Sequence, residues 1–352
     1  MDTPCGTFND SYNKDFAIVR TRLQWGLFIA FLLFVLLFPL FPFATSRILN
    51  FLITTAIVII AVQGVNILTG CAGQITLGQA AFMAVGGYIF VLLSVNLGWS
   101  FWACLLCGAI GSALMGLLFG LPALKIKGFY IAMTTLAAQF IIIYLIFVIP
   151  NITGGGEGLT IPHPQVFGIT IRSPQDYYYL VIPITILMIF FAKSLLRTRV
   201  GRAFIAIRDN DLAAETMGIN IFRYKVLAFA ICSFYAGIAG VLRVTFLGIA
   251  HPDLFPLMDS LWFLGMVIVG GMGSVLGSIL GPIFLIILTE LAIVITPLIA
   301  GIIPVATAGA LGIVLQALVI IVFLIAEPRG LAHRWQLIKT SYRLWPFSRV
   351  LS

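Results

Sequence analysis

The chain has 352 residues, 61% of them hydrophobic and only 9% charged, with 20 Lys and Arg against 12 Asp and Glu. No water-soluble domain of this size buries so much apolar surface, so the composition excludes a soluble globular protein and points to a polytopic membrane protein. The net charge of +8 is spread beside apolar runs instead of gathered in one patch, which fits the positive-inside bias and not a nucleic-acid surface.

The apolar runs are continuous for ~20 residues, which predicts helices; barrel strands would alternate over ~10 residues. Residues 1–24 are polar and mixed in charge, a predicted cytoplasmic N-terminal tail. The first run, Trp25 to Phe43, has no small-residue cleavage site and reads as a retained helix, not a signal peptide. Ile48 to Leu68 follows, then a polar glycine-rich stretch from Thr69 to Gln79 that leads straight into Ala80–Leu97. Phe101–Gly120 and Phe129–Ile149 flank Lys125 and Lys127. Residues 150–177 form a long polar loop, predicted extracytoplasmic, and Tyr178–Leu196 is the next span.

The longest charged segment is Val200 to Lys225, assigned as residues 200–225. Arg202, Arg208, Asp209, Asp211, Glu215, Arg223 and Lys225 alternate there with Ala, Ile and Phe, and Gly218 follows Ala213, Ala214 and Glu215. The segment reads as a short cytoplasmic surface helix, closed by Gly218, whose small face docks on another subunit; an ordinary inter-span loop is the plainer reading. Val226–Leu247 spans next, His251-Pro252-Asp253 with Pro256 turns the chain, and Leu261–Val275 and Leu276–Pro297 are separated by glycines. Pro304–Ala326 closes a permease domain spanning 25–327, and residues 328–352 form a basic cytoplasmic tail with Arg329, Arg334, Lys339, Arg343 and Arg349. A count of about ten spans with both ends inside puts every large basic cluster on one side, leaving Arg47 as a minor exception. The stretches 70–79 and 269–281 also read as broken or re-entrant helices.

Several residues invite a role. Gly273, Gly277 and Gly281, at four-residue spacing, are expected on one helical face for close packing, within the subunit or along a helix that slides during transport. Gln74, Thr76 and Gln79 lie at membrane depth, where irregular backbone survives only inside protein or along an aqueous cavity. They are candidates for a translocation pathway, with Gln63, Asn66, Thr134, Thr135 and Gln139 as further lining; each also suits a single interhelical hydrogen bond. Arg243 and Glu290 are charges within spans, Arg243 close enough to an end to snorkel. Cys104 and Cys107 form a C-x-x-C without a second pair, so no metal site is expected, and the three histidines, His163, His251 and His333, are dispersed. No phosphate loop, H-E-x-x-H or G-x-S-x-G occurs, so the chain is expected to be no enzyme and to hold no cofactor itself.

Five segments in collinear order carry a resemblance: NILTGCAGQITLGQAAFMAVGGY (Asn66–Tyr88), ITGGGEGL (Ile152–Leu159), the run from Gly201 to Gly240, MVIVGGMGSVLGSILGP (Met266–Pro282) and AEPRGL (Ala326–Leu331). Together they make the chain similar to the LivM-type permease subunits of bacterial branched-chain amino-acid ABC importers. The resemblance implies an all-α polytopic bundle, like a type II ABC importer permease, in the bacterial inner membrane. It implies a second, LivH-type permease as partner, two ATP-binding subunits that hold ATP and Mg, and an extracytoplasmic solute-binding protein. Arg208, Ala213, Ala214, Glu215 and Gly218 then become the contact with the ATPase. Gln79, where relatives often have His, Arg243, and Glu157 in the glycine loop depart from the family pattern and bear on the solute. Urea, short amides and aromatic acids are alternatives to leucine, isoleucine and valine. A self-contained ion-coupled transporter using Glu290 and Arg243 is the rival from another class.

Overall fold

The computed structural model describes residues 26, 35–40, 45–123, 130–161, 164–166, 168–300, 314, 317–318, 320–323, 325, 327 and 330–344. Most of the expected first span, most of Pro304–Ala326, and Lys125, Lys127, His163, Arg329 and Arg349 lie outside the described residues.

The architecture is helical. The first long helix, α1 (Ser46–Val65), continues without a break into a π-helical stretch, Asn66–Cys71. Helices α2 (Gln79–Leu97), α3 (Phe101–Ala123) and α4 (Tyr130–Val148) follow, then a single turn, α5 (Pro150–Thr153). Helix α6 (Pro174–Arg197) starts four residues earlier than the apolar run because Ser173 and Asp176 form a reciprocal capping box with Pro174 in the first turn. Two short helices, α7 (Arg199–Asp209) and α8 (Asp211–Thr216), lead into α9 (Ile221–Leu247). Helices α10 (Leu257–Gly270), α11 (Gly277–Ala300) and α12 (Leu331–Leu344) complete the described chain. Among the described residues seven helical stretches are long and apolar enough to cross a membrane, and Gly277–Leu291 is a shorter apolar one. In lipid each backbone amide must be satisfied within its own segment, and these uninterrupted runs do so as helices.

The loop expected at 150–177 contains small ribbons. Strand β1 (Leu159–Thr160) pairs antiparallel with β4 (Ile249–Ala250), which follows α9, while β2 (Gln165–Val166) pairs with β3 (Ile169–Thr170). Helix α9 has 27 residues, about 40 Å of helix, so the β1–β4 ribbon and the α7–α8 pair sit at opposite ends of the bundle.

Helices α1 and α9 form its centre. Helices α2, α3 and α9 meet backbone to backbone: a methyl at Gly86 would touch Gly237, and one at Gly240 would collide with the carbonyl of Met83. Ser112 on α3 bridges them, its hydroxyl 2.7 Å from the carbonyls of both Phe82 and Ser233. Lipid tails supply no hydrophobic drive between helices, so such contacts must hold them together. Outward, α3 presents Leu106, Ile110, Leu114 and Leu118 in an exposed row at four-residue spacing, a lipid-facing stripe.

Three expectations change. Gly273, Gly277 and Gly281 do not share a helical face: α11 begins at Gly277, and Gly273 sits in the preceding turn with φ +79. Gly277 and Gly281 do pack closely, against Gly270 and Met266 of α10, but Gly273 belongs to another cluster. The helix after the His251–Pro256 turn starts at Leu257 and ends at Gly270, which brings Asp259 into it. The charged segment is two helices, divided at Asn210, whose extended backbone (φ −160, ψ 110) ends α7 while its side chain caps α8.

Candidate functional site

The α7–α8 pair projects from one end of the bundle. Apolar Ala203, Phe204 and Ile207 bury one face of α7 against the chain. On α8 only Ala214 is buried; Ala213, Glu215 and Thr216 are exposed, and so are Leu212 (68%) and Met217 (82%). The helix ends as its sequence foretold. Gly218 (φ +82) donates to the Glu215 carbonyl, and Ile219 N donates to Ala214 O at 3.0 Å, closing a Schellman motif. Lys225 of α9 ties α8 down through an ion pair with Asp211 at 2.9 Å, and Asn220 caps α9 on the amide of Arg223. The exposed face is therefore larger and more apolar than the small-residue face expected. Leu212 and Met217 were missed because large apolar residues in an apolar chain give no signal in sequence.

Arg208 does not join that face. Its Nη1 donates to the carbonyl of Gly70 at 2.9 Å, and its Nε and Nη2 hold Asp209 Oδ1 at 3.0 and 2.9 Å. Its stem lies on Gly73. The side chain stays partly exposed (38%) while its Nη1 reaches the end of the π-helical stretch at Gly70.

There it meets two departures from regular α-helix: the π-helical turn and irregular run of 66–78, and residues 271–276. Asn66 joins them: its Oδ1 accepts from Gly273 N at 2.8 Å and its Nδ2 donates to Ser274 O at 3.1 Å. Gln63, one turn earlier, is hydrogen-bonded to the hydroxyl of Ser278. Of the pathway candidates, Gln79 is fully buried, donating to Ala61 O at 2.9 Å and accepting from the Cys232 thiol. Thr76 caps the amide of Gly78, and Thr135 accepts from Leu77 N at 2.9 Å. Gln139 accepts from Ala81 N at 2.7 Å and donates to Phe255 O, and Ser260, unremarked in the sequence, caps Ala80. Thr134, half-buried, bonds its own helix at Tyr130. Thr76, Thr135, Gln139 and Ser260 thus satisfy the non-helical backbone of 77–78 and the first amides of α2. Gln74 is different. It is 2% exposed, yet neither amide atom has a hydrogen-bond partner.

The charges within spans are paired. Arg243 binds Asp259 of α10 at 2.6 Å and lies 5.6 Å from the centroid of Phe255, so it does not simply snorkel. Glu290 is not alone either: Arg47 reaches it at 3.1 Å beside a cavity of about 420 Å³ lined by Asn50, Phe51, Thr54 and Ile286. That pairing gives Arg47 a counter-charge. Cys71, Cys104 and Cys232 are buried free thiols and Cys107 a partly buried one. Among the described residues no cluster of His, Cys, Asp or Glu could hold a metal ion. Glu157 is exposed in the turn that follows α5, and His251 binds the carbonyl of its neighbour Gly156 at 2.9 Å.

Seven helical stretches among the described residues long and apolar enough to cross a membrane, with a capped helix pair at one end of the bundle, define a multi-pass helical membrane protein. The family described as branched-chain amino acid transport system / permease component matches residues 47–324, and the chain belongs to it. The high-affinity branched-chain amino acid transport system permease protein LivM of Salmonella typhimurium is 34% identical over 275 residues, 71% of this chain and 65% of that protein. LivM of Escherichia coli is 34% identical over 300 residues, 78% of this chain and 70% of its own length. A probable LivM of Methanocaldococcus jannaschii is 28% identical over 224 residues, 63% of this chain and 65% of that protein. One solved structure, PsaBC from Streptococcus pneumoniae in complex with Fab, aligns over 82% of this chain and 94% of its own at 19% identity and a TM-score of 0.43.

Proposed function

We propose that this chain is the membrane-spanning permease subunit of an ATP-binding cassette importer for branched-chain or related amino acids, in the inner membrane of a bacterium. The observation that carries the reading is the α8 helix. It is capped by Asn210, closed by Gly218 and tied down by Lys225, and it exposes Leu212 and Met217 among charged neighbours at one end of the bundle. An exposed apolar patch on a rigid, capped element suits a protein partner, and in this family that partner is an ATP-binding subunit. Two such subunits would hold ATP and Mg, and a second permease, LivH-type, and a binding protein on the other face would complete the assembly.

In this reading α7–α8 is cytoplasmic and the β1–β4 ribbon extracytoplasmic. Ten spans result if α11, Trp25–Phe43 and Pro304–Ala326 are added to the seven helices of the described residues. Gln74 contributes to the translocation pathway, because a buried amide left without partners costs stability and suits a group that meets a polar solute or water in another state. The ion-coupled alternative is less well supported, since Glu290 is ion-paired to Arg47.

The test is purification of the tagged chain from its native membrane, followed by reconstitution with whatever ATP-binding and solute-binding proteins accompany it. ATP-dependent uptake of leucine is expected. Transport by the chain alone in ATP-free vesicles would overturn the reading.

A further inference from the structure

We infer that Arg208 is a positioning residue that links movement of the α7–α8 pair to the two interrupted segments in the membrane; the inference rests on the importer reading above. The π-helical stretch ends at Cys71, and its last carbonyls face no following helical amide. Arg208 Nη1 supplies one at Gly70, a cation at a helix C-terminus where the dipole favours it. One oxygen of Asp209 accepts from Nε and Nη2 along a single edge of the same guanidinium, which leaves Nη1 for Gly70.

The slot around this side chain is built from backbone. A methyl on Gly73 would stand 3.1 Å from Arg208 Cγ, and one on Gly273 would stand 2.9 Å from Nη1. Both glycines also have positive φ, +70 and +79, which other residues adopt only with strain. Gly70 in turn abuts the amide of Gly273. Three glycines from two distant stretches therefore line one side of a side chain from a third, whose other side stays exposed. Asn66 locks the two stretches to each other. A displacement of α7 is thus delivered at one point to both interruptions and to the irregular run holding Gln74. Interrupted helices have backbone groups that can exchange partners, the kind of discrete rearrangement a gate requires. Docking and transmission are then divided: Leu212 and Met217 hold the ATPase, and Arg208 passes its motion on.

The experiment compares wild type, Arg208→Gln and Arg208→Lys in the assembled complex. Arg208→Gln is expected to retain the ATP-binding partner and its basal ATP hydrolysis, while leucine taken up per ATP falls about tenfold, within the range of coupling mutations. Arg208→Lys, which keeps one charged donor, recovers part of the ratio. A second readout needs no transport: the distance between spin labels placed by unnatural amino acids at Met217 and Ile75, with and without ATP. In wild type the labels move together and the distance holds; in Arg208→Gln it changes with nucleotide. An unaltered uptake-to-ATP ratio in Arg208→Gln overturns the proposal, and so does loss of the partner, which would make Arg208 a docking residue. A label distance that already changes in wild type overturns it too. If the Arg208→Gln chain itself does not fold, Arg208→Lys and the wild-type distance decide. A wild-type chain that brings no ATP-binding protein removes the importer reading and this inference with it.

Discussion

Asn66 and Gly273 are 207 residues apart in sequence and joined by a 2.8 Å hydrogen bond between the Asn66 side chain and the Gly273 amide. The other half of the same amide group takes up the carbonyl of Ser274. One buried side chain thus satisfies both polar groups of a turn that no helix can serve, and it fixes the α1 interruption against the one between α10 and α11.

Replacing Asn66 should therefore be costly. Asn66→Ala leaves a buried donor and a buried acceptor unpaired, a loss of about 2–5 kcal/mol. Asn66→Asp keeps the acceptor for Gly273 N but loses the donor to Ser274 O, and it should fall between. The measurement is the thermal unfolding midpoint of the purified protein in detergent. Equal midpoints for wild type and Asn66→Ala would show that the two interruptions are held by something else.

Gln74 should behave in the opposite way. Both of its amide atoms are buried without partners, so Gln74→Leu removes an unsatisfied group of similar shape and should leave stability unchanged or raise it by about 1 kcal/mol. If the amide serves the solute in another state, leucine uptake by the reconstituted complex falls at least several-fold in the same variant. Stability lost together with uptake would make Gln74 a structural residue.

Glycine substitutions separate two causes of intolerance. A methyl at Gly240 meets the carbonyl of Met83 in the α2–α9 contact, and Gly240→Ala should cost at least about 1–3 kcal/mol by overpacking. Gly265 lies within α10 with nothing within 4 Å of an added methyl, and Gly265→Ala should be neutral or stabilising by up to about 1 kcal/mol through helix propensity. Unfolding midpoints of the pair, measured side by side, check this. Equal effects would mean that close approach is not what holds α2 and α9.

The exposed α8 face gives a binding prediction. Leu212→Ser with Met217→Ser removes the apolar surface and leaves the Asn210 side-chain cap, Gly218 and the Asp211–Lys225 ion pair in place; Met217, the C-cap residue, bonds only through its backbone. The unfolding midpoint should hold, while the amount of ATP-binding partner recovered with the chain drops about tenfold, as for loss of central apolar anchors. Glu215→Lys, on the same face, should weaken recovery less. Full recovery with the double variant would place the docking surface elsewhere.

What the sequence determined by itself was whatever depends on neighbours along the chain. Long apolar runs dictate helices because lipid leaves the backbone no other partner, and they placed most spans to within a few residues. Gly218 ended its helix as read, because a left-handed residue after a short amphipathic stretch is a local requirement. The glycine-rich stretch at 70–79 was legible as irregular, since neither helix period nor apolar continuity survives there. Only the tertiary structure decided the rest. Gly273, which periodicity assigned to a helix, is instead half of a clasp with Gly70; Arg208, exposed as its charge suggested, also donates to a carbonyl 138 residues away. Asp259 and Arg47 emerged as counter-ions, and Leu212 and Met217 as an exposed face. Periodicity cannot carry such facts. Which polar group meets which is set by how the helices are laid side by side, and in a bilayer that arrangement comes from close contacts between distant backbones.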